Sequence, residues 1–532
     1  MYTPRQKILW FAFSTRVFII FLQAVGNIII PDHDANVFKS PEDAVLRKNK
    51  GDVIIDTLLG GFKKWDAQYF IHIAQYGYTY ENCLAFSPLF PLIIRYVAFT
   101  LNSILGSFLN FHSTLLLSAT IVNLLIFIKS ADVLHRLSLR ILRSECRAYK
   151  SVILYCVNPA SIFFSAPYSE SLFALMSFYT MYKCTENETL RFANIDITAA
   201  LPAGFSMISR SNGIVNLGFI LYASFKNVIE KTLPEIMYKY KTLKHRLILP
   251  FLLLPLFTSC VALFLTVVIA VIPYVLVQIY NYFKFCVYSD HNLPEFLTNT
   301  EFILPGTAES PWCNSSLPMS YSYIQSHYWD VGFLKYYKIK QIPNFILAAP
   351  ILLVILYHCM SYIKNNFRVC CRLGLKEIVF NFGYSTKINK QKQHPKGFGS
   401  NDPNLFVYVI HVLFLTIFCL MYVHIQVSTR LLASASPVLY WICSSKMNVG
   451  PTPTSDQNTI NEHFRRIGIG KRIPSHHLSI ANLEGVDNMY SKWKTFIISR
   501  RMPDFQSRLI QCYFLGYLLM GTILFCNYYP WT

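Results

Sequence analysis

The chain has 532 residues, of which 53% are hydrophobic, 16% aromatic and only 14% charged, and its formal net charge is +20. Soluble domains carry about 25% charged residues, so the deficit excludes an ordinary water-soluble globule and points to a surface that faces lipid. The excess of Lys and Arg lies in loops between apolar runs, as in membrane proteins; no basic stripe with interleaved aromatics marks a nucleic-acid partner.

Residues 8–30 form the first apolar run. It is longer than a signal-peptide core and lacks a small-residue cleavage site, so it reads as a retained signal-anchor helix. Arg5 and Lys7 precede it, which predicts a cytoplasmic N-terminus and a luminal residue 31. Arg16 lies inside the run, where a charge is costly and faces either the bundle or a lipid phosphate.

Residues 31–86 are polar and form a first luminal loop too long to be a mere connection. It opens on Asp32-His33-Asp34. Paired carboxylates suit a magnesium–diphosphate donor, but an Asp-x-Asp this short serves equally as a membrane-facing group that positions substrate, or as a polar helix end. Further on, Lys64-Trp65-Asp66-Ala67-Gln68-Tyr69-Phe70 predicts an aromatic, amphipathic helix suited to the membrane–water interface. Asp66 is then either a base in a mixed apolar setting or a solvated acid on a plain interfacial helix. Glu81 either positions a sugar hydroxyl or Asp66, or is a solvent-facing loop acid. Ala85-Phe86-Ser87-Pro88-Leu89-Phe90-Pro91 sets the start of the next helix.

Apolar runs follow at 88–108, 113–131, 150–182, 198–224, 247–280, 344–362, 404–443 and 509–528. Each crossing needs roughly 20 apolar residues, and some runs are long enough for hairpins, so roughly eight to eleven transmembrane helices are expected. Between and after them lie a second luminal loop at 281–343 and basic cytoplasmic loops at 363–403 and 444–508. Residues 1–532 read as one membrane domain. No internal repeat supports a transporter.

Several polar groups interrupt the apolar runs. Asn158-Pro159-Ala160-Ser161 through Tyr168-Ser169-Glu170-Ser171 is a polar break, tolerated at membrane depth only where it is buried or lines a cavity. Glu170 is therefore a candidate site residue, with a capped turn as the alternative. Arg210-Ser211-Asn212-Gly213 and His424 to Arg430 each place an arginine beside apolar sequence. Arg210 and Arg430 suit a phosphate, because the guanidinium fork makes two charge-assisted hydrogen bonds; snorkelling or interfacial anchoring is the alternative for each.

In the second luminal loop, Trp312, Tyr323, Gln325, Tyr328 and Trp329 combine aromatic faces with polar tips, as sugar binding requires; a belt at the bilayer surface has the same composition. Asn187 and Asn314 open N-glycosylation sequons. The 14 cysteines are scattered, and Cys83 and Cys313, both in luminal loops, leave a disulfide between them open.

These motifs occur in an order that resembles the GPI mannosyltransferase 2 family. The resemblance rests on Lys64 to Phe70, Ala85 to Pro91, Asn158 to Ser161, Tyr168 to Phe173 and Arg210 to Gly213. It continues through Pro311-Trp312-Cys313, Tyr323-Ile324-Gln325, Gln341-Ile342-Pro343-Asn344-Phe345, Gln426 to Arg430 and the terminal Pro530-Trp531-Thr532. It covers nearly the whole chain.

The resemblance implies an all-α polytopic membrane protein of the GT-C glycosyltransferase fold, in the endoplasmic-reticulum membrane. It implies dolichyl-phosphate mannose as donor, a GPI precursor glycolipid as acceptor, and addition of the second mannose in α-1,6 linkage. It implies no cofactor and no metal, so Asp32-His33-Asp34 is read as non-metal. In that setting Asp66 is the expected base, with Glu81 or Asp32 positioning; Arg210 and Arg430 meet the donor phosphate. Trp65, His33, Glu170, Tyr323, Gln325 and Trp329 are expected to bind substrate. An accessory membrane subunit stays open. The rival readings are another dolichyl-phosphate-mannose-dependent enzyme, a polytopic lipid or solute transporter, and a non-catalytic scaffold subunit of an anchor-assembly complex.

Overall fold

A computed structural model describes residues 3–41, 48–185, 195–242, 249–289, 293–298, 300–375, 402–447 and 504–531. The sequon at Asn187, most of the two basic loops and Thr532 lie outside the described residues. Within them the chain is helical, and the helices form one bundle.

The helices in chain order are α1 (Pro4–Ile29), α2 (Lys50–Leu59), α3 (Ala67–Tyr76), α4 (Leu89–Leu105), α5 (Phe111–Leu142) and α6 (Glu145–Cys156). Next come α7 (Glu170–Cys184), α8 (Ile197–Met207), α9 (Leu217–Asn227), α10 (Leu233–Thr242), α11 (Leu249–Phe285), α12 (Glu295–Thr298) and α13 (Ser320–Trp329). Finally come α14 (Ile342–Asn365), α15 (Phe367–Cys371), α16 (Phe406–Tyr422), α17 (Ser428–Ala435), α18 (Val438–Lys446) and α19 (Phe505–Phe525).

Helix starts follow from local sequence. Thr3 and Gln6 make a reciprocal capping box with Pro4 in the first turn of α1, and Asn110 caps α5 by accepting from the Ser113 amide. Helix α5 packs on α1, α4, α6 and α7 at the centre of the bundle. Helix α11 is its most exposed long member: only 17% of its apolar stretch is buried.

Six described helices are long and apolar enough to cross a membrane: α1, α5, α11, α14, α16 and α19. The run at 88–108 forms one shorter helix, α4, and three longer runs are broken. The runs at 150–182, 198–224 and 404–443 fold as α6–α7, α8–α9 and α16–α17–α18, each interrupted by a short 3₁₀ turn. The polar groups inside those runs cause the breaks, because they offer the backbone alternatives to helical bonds.

The break between α6 and α7 shows how its freed backbone is satisfied. Asn158 turns back on itself, its side chain accepting from the Ala160 amide at 2.9 Å and donating to the Tyr155 carbonyl at 2.9 Å. The buried Arg16 guanidinium donates to the Cys156 and Ser161 carbonyls at 2.7 and 2.9 Å and lies 3.9 Å from the Phe127 ring centre. Asn123 donates to the Ala166 and Tyr168 carbonyls. Arg16 therefore faces the bundle, and its positive charge sits at the C-terminal, electronegative end of α6.

Both long loops gather at one end. The His33 amide donates to the Asn527 carbonyl (2.8 Å), the Asn110 amide to Asp52 (2.8 Å), the Glu81 amide to the Ile303 carbonyl (3.0 Å) and the Leu334 amide to the Met421 carbonyl (2.7 Å). These bonds tie the described residues of 30–86 and 300–341 to the start of α5 and the ends of α16 and α19. The opposite end holds the Arg5–Asp132 ion pair at 2.6 Å and the Lys150 bond to the Met447 carbonyl at 3.0 Å.

Candidate functional site

Four charged residues from four separate segments meet at the loop end of the bundle. Asp66 precedes α3, Glu170 opens α7, Arg210 stands in the break between α8 and α9, and Arg430 lies in the first turn of α17. Each of the last three is placed by an interrupted apolar run, so the breaks deliver charge to the site.

The charges alternate in a row. Arg430 Nη2 donates to Asp66 Oδ2 at 2.8 Å, and Arg430 Nε lies 3.8 Å from Glu170 Oε1. Arg210 Nη1 makes a hydrogen-bonded ion pair with the same Glu170 oxygen. Side-chain exposure falls from 31% at Asp66 to 17% at Arg210, 14% at Arg430 and 0% at Glu170, so the row has a wet end and a dry floor. Beneath Arg430 lie the rings of Phe163 and Tyr168, 5.1 and 5.5 Å from the guanidinium carbon. Aromatic faces stabilise a cation that has lost water.

Local backbone aims Asp66. Its side chain does not cap α3, which leaves the carboxylate to Arg430. Trp65 just before it has φ of 59°, the left-handed region that a large L residue avoids. At the far end of α3, Gly77 has φ of 81°, and a glycine ends a helix there without a Cβ penalty. Gly213 serves Arg210: a Cβ there would lie 2.3 Å from the Ser206 carbonyl oxygen, so only glycine allows the tight return after the arginine.

Glu81 lies elsewhere. It is fully buried, so the solvent-facing alternative fails. Its two oxygens accept from Trp312 Nε1 at 2.9 Å and Tyr328 Oη at 2.7 Å. This carboxylate therefore joins the first loop to the second. Burial and the Glu81 contact push the Tyr328 hydroxyl pKa well up, which keeps it a neutral donor.

The structure brings together Asp66, Glu170, Arg210 and Arg430. It sets Asp32 and His33 to one side. Asp32 pairs with Lys64 at 2.6 Å, Lys64 lies over the Tyr528 ring at 4.7 Å, and His33 stacks on Tyr529 at 5.2 Å. Trp65 meets Tyr528 at 6.0 Å. Trp329 packs 6.0 Å from Tyr69 and 6.1 Å from Phe86, one helical turn on from Asp66, whereas Tyr323 stacks on His327. Gln325 is half-buried on α13, and its carbonyl accepts from the Val331 amide. Asn314 is exposed at the end of a 3₁₀ turn.

One expectation needs correction, and one open pairing is answered. Helix α3 is not an open interfacial helix: Ala67 and Tyr69 to Ala74 are buried beneath the second loop and α4, because aromatic residues on both faces find partners there. The disulfide joins Cys313 to Cys286, not Cys83, which is a buried free thiol in an aromatic cluster. Cys286 and Cys313 share the second loop, a signal visible in the sequence. Lys64, Phe163 and the Glu81 donors Trp312 and Tyr328 were legible only as residue types, since their partners lie in distant segments.

The description "Mannosyltransferase (PIG-V)" belongs to a family model that matches residues 5–532. A protein of Cricetulus griseus described as GPI alpha-1,6-mannosyltransferase 2 is 34% identical, covering 99% of this chain and 99% of its own length. Its human counterpart is 32% identical with the same coverage of both chains. GPI mannosyltransferase 2 of Drosophila pseudoobscura pseudoobscura is 34% identical over 99% of this chain and 100% of its own. Among solved structures, an archaeal oligosaccharyltransferase from Archaeoglobus fulgidus aligns over 95% of this chain and 59% of that one, at 10% identity and a TM-score of 0.35.

Proposed function

The chain belongs to the mannosyltransferase (PIG-V) family, and on that premise we propose that it adds the second mannose, in α-1,6 linkage, to a GPI-anchor precursor. The donor in this reading is dolichyl-phosphate mannose, and the loop end of the bundle faces the lumen of the endoplasmic reticulum. The GT-C fold type is part of the same proposal.

The observation that carries the reading is the row Asp66–Arg430–Glu170–Arg210. Transfer from a β-linked mannosyl phosphate to an α-linked product inverts the anomeric carbon. The acceptor oxygen attacks that carbon, the carbon–phosphate oxygen bond breaks, and dolichyl phosphate leaves as an anion that needs no proton. One base suffices to take the acceptor hydroxyl's proton. Asp66 suits that task, being the more exposed of the row's two acids and making no helix-capping bond. Arg430 and Arg210 suit the phosphate, since preformed cations in a dry site stabilise developing negative charge at little reorganisation cost.

Remaining residues support the same reading in other ways. Glu81 ties the second loop to the first, and Trp329, half-buried beside Phe86, offers an aromatic surface for a sugar. Asp32, paired with Lys64, fixes the segment that leads into Trp65 and Asp66.

The test is mannose transfer from dolichyl-phosphate mannose to a one-mannose GPI precursor, in membranes carrying wild type or Asp66→Asn at equal abundance. Wild type makes the two-mannose product, and the variant loses at least about a hundredfold in rate, the usual worth of a general base. Wild type without transfer overturns the function; an active variant moves the base elsewhere.

A further inference from the structure

Glu170 presents no accessible oxygen to a sugar: the residue is wholly buried, its Oε1 is occupied by Arg210 and faced by Arg430, and its Oε2 is enclosed without a hydrogen-bond partner. Neither is it a simple stability feature. Apolar residues that replace a buried ion pair often hold a fold as well or better, so a charge kept on the floor of a site calls for a reason beyond stability.

We propose that Glu170 is a positioning residue: a buried anion that holds the Arg210 guanidinium and faces that of Arg430, so that the two present as one phosphate clamp. The inference rests on the reading of this site as one for a lipid-phosphate sugar donor. Three observations support it. First, the two arginines come from segments far apart in sequence, the α8–α9 break and α17, and Glu170 is the anion that both approach. Without it, like charges would repel in a dry pocket.

Second, Glu170 is the first residue of α7, where the helix N-terminus favours an anion and fixes the carboxylate on a rigid element. Third, the elements behind it are tied down. Ser211 Oγ, next to Arg210, donates to Tyr321 Oη at 2.7 Å, and Asn216 Nδ2 donates to Ser177 Oγ of α7 at 3.0 Å. The clamp therefore sits on a braced frame, with Phe163 and Tyr168 under one arm. Glu170 takes no proton and touches no substrate in this scheme; it acts through the two arginines.

Donor and acceptor KM, kcat and abundance would be measured for wild type, Glu170→Gln and Glu170→Asp of the full-length membrane protein. Glu170→Gln is expected to raise the donor KM about tenfold or more, the worth of a lost charge-assisted bond, and to leave the acceptor KM unchanged. Glu170→Asp keeps the charge one methylene back and gives an intermediate donor KM. A donor KM unchanged in either variant, or equal rises in both KM values, overturns the positioning role. If Glu170→Gln fails to accumulate, Glu170→Asp is judged by the same split. Wild type that transfers no mannose from dolichyl-phosphate mannose defeats the functional reading instead, which keeps the two failures apart.

Discussion

His72 is enclosed on every side, and each of its ring nitrogens meets a hydroxyl, Ser40 Oγ at 2.7 Å and Thr79 Oγ1 at 2.6 Å. Hydroxyls donate or accept as the neutral ring requires. Burial pushes the His72 pKa down to about 4 from 6.5. Between those values the unfolded chain binds a proton that the folded chain refuses, so stability rises with pH across this window and is lost as pH falls from about 6.5 toward 4. The full effect is on the order of 3 kcal/mol. Thermal unfolding of purified wild type and His72→Gln at pH 7 and pH 5 checks it: the wild-type midpoint should drop more than the variant's. Equal drops would show that other groups set the acid sensitivity. The sequence shows a histidine on an aromatic helix; the depressed pKa comes from Phe38 and Tyr80, which close over it from other segments.

At the scale of elements, the 3₁₀ turn Glu81–Ala85 and the turn Pro311–Asn314 with α13 are held together through one carboxylate. Removing it by Glu81→Ala leaves the buried Trp312 N–H and the half-buried Tyr328 O–H without their acceptor. Each orphaned donor costs about 1–3 kcal/mol. The expected outcome is a lower unfolding temperature and a reduced amount of protein. Glu81→Gln behaves differently, since its amide oxygen still accepts from Trp312 and its amide nitrogen donates to the Tyr328 oxygen. It should keep near-normal stability and most of the transfer activity. Loss of transfer in a well-folded Glu81→Gln protein would mean that the negative charge itself acts in the reaction. The broken runs were half legible: Asn158-Pro159 and Arg210 to Gly213 announce interruptions, but the sequence does not show that neighbouring helices supply Arg16 and Asn123 to satisfy the exposed carbonyls.

Across the whole molecule, the long loops, the charged row and the end of α19 share one end, and the exposed Asn314 lies there too. If that end faces the lumen as proposed, the sequon Asn314-Ser315-Ser316 is open to the glycosylation machinery. Treatment with an endoglycosidase should raise the gel mobility of the wild-type chain, and Asn314→Gln should remove one glycan's worth of that shift. A mobility unaffected by Asn314→Gln would sink the prediction. The count of long spans belongs to this scale as well. Apolar length alone led to eight to eleven crossings, and six described helices are long and apolar enough to be whole spans, since three of the longer runs divide into broken helices.

By itself the sequence determined that this is a helical, many-spanning membrane protein, because composition and the length of apolar runs need no tertiary knowledge. It also determined which segments carry unusual polarity, since a charge in an apolar run stands out wherever the run folds. Only the tertiary structure decided which of those charges meet. Asp66 and Arg430 are 364 positions apart, and their contact depends on how α3 is laid against α4 and α5 and α17 against α7. The same holds for Glu81 and Trp312, 231 positions apart, and for the choice of Cys286 over Cys83 as the partner of Cys313. Local sequence dictates helix ends and breaks through short-range bonds, whereas the pairing of distant charges is settled by packing, which no short window of sequence contains.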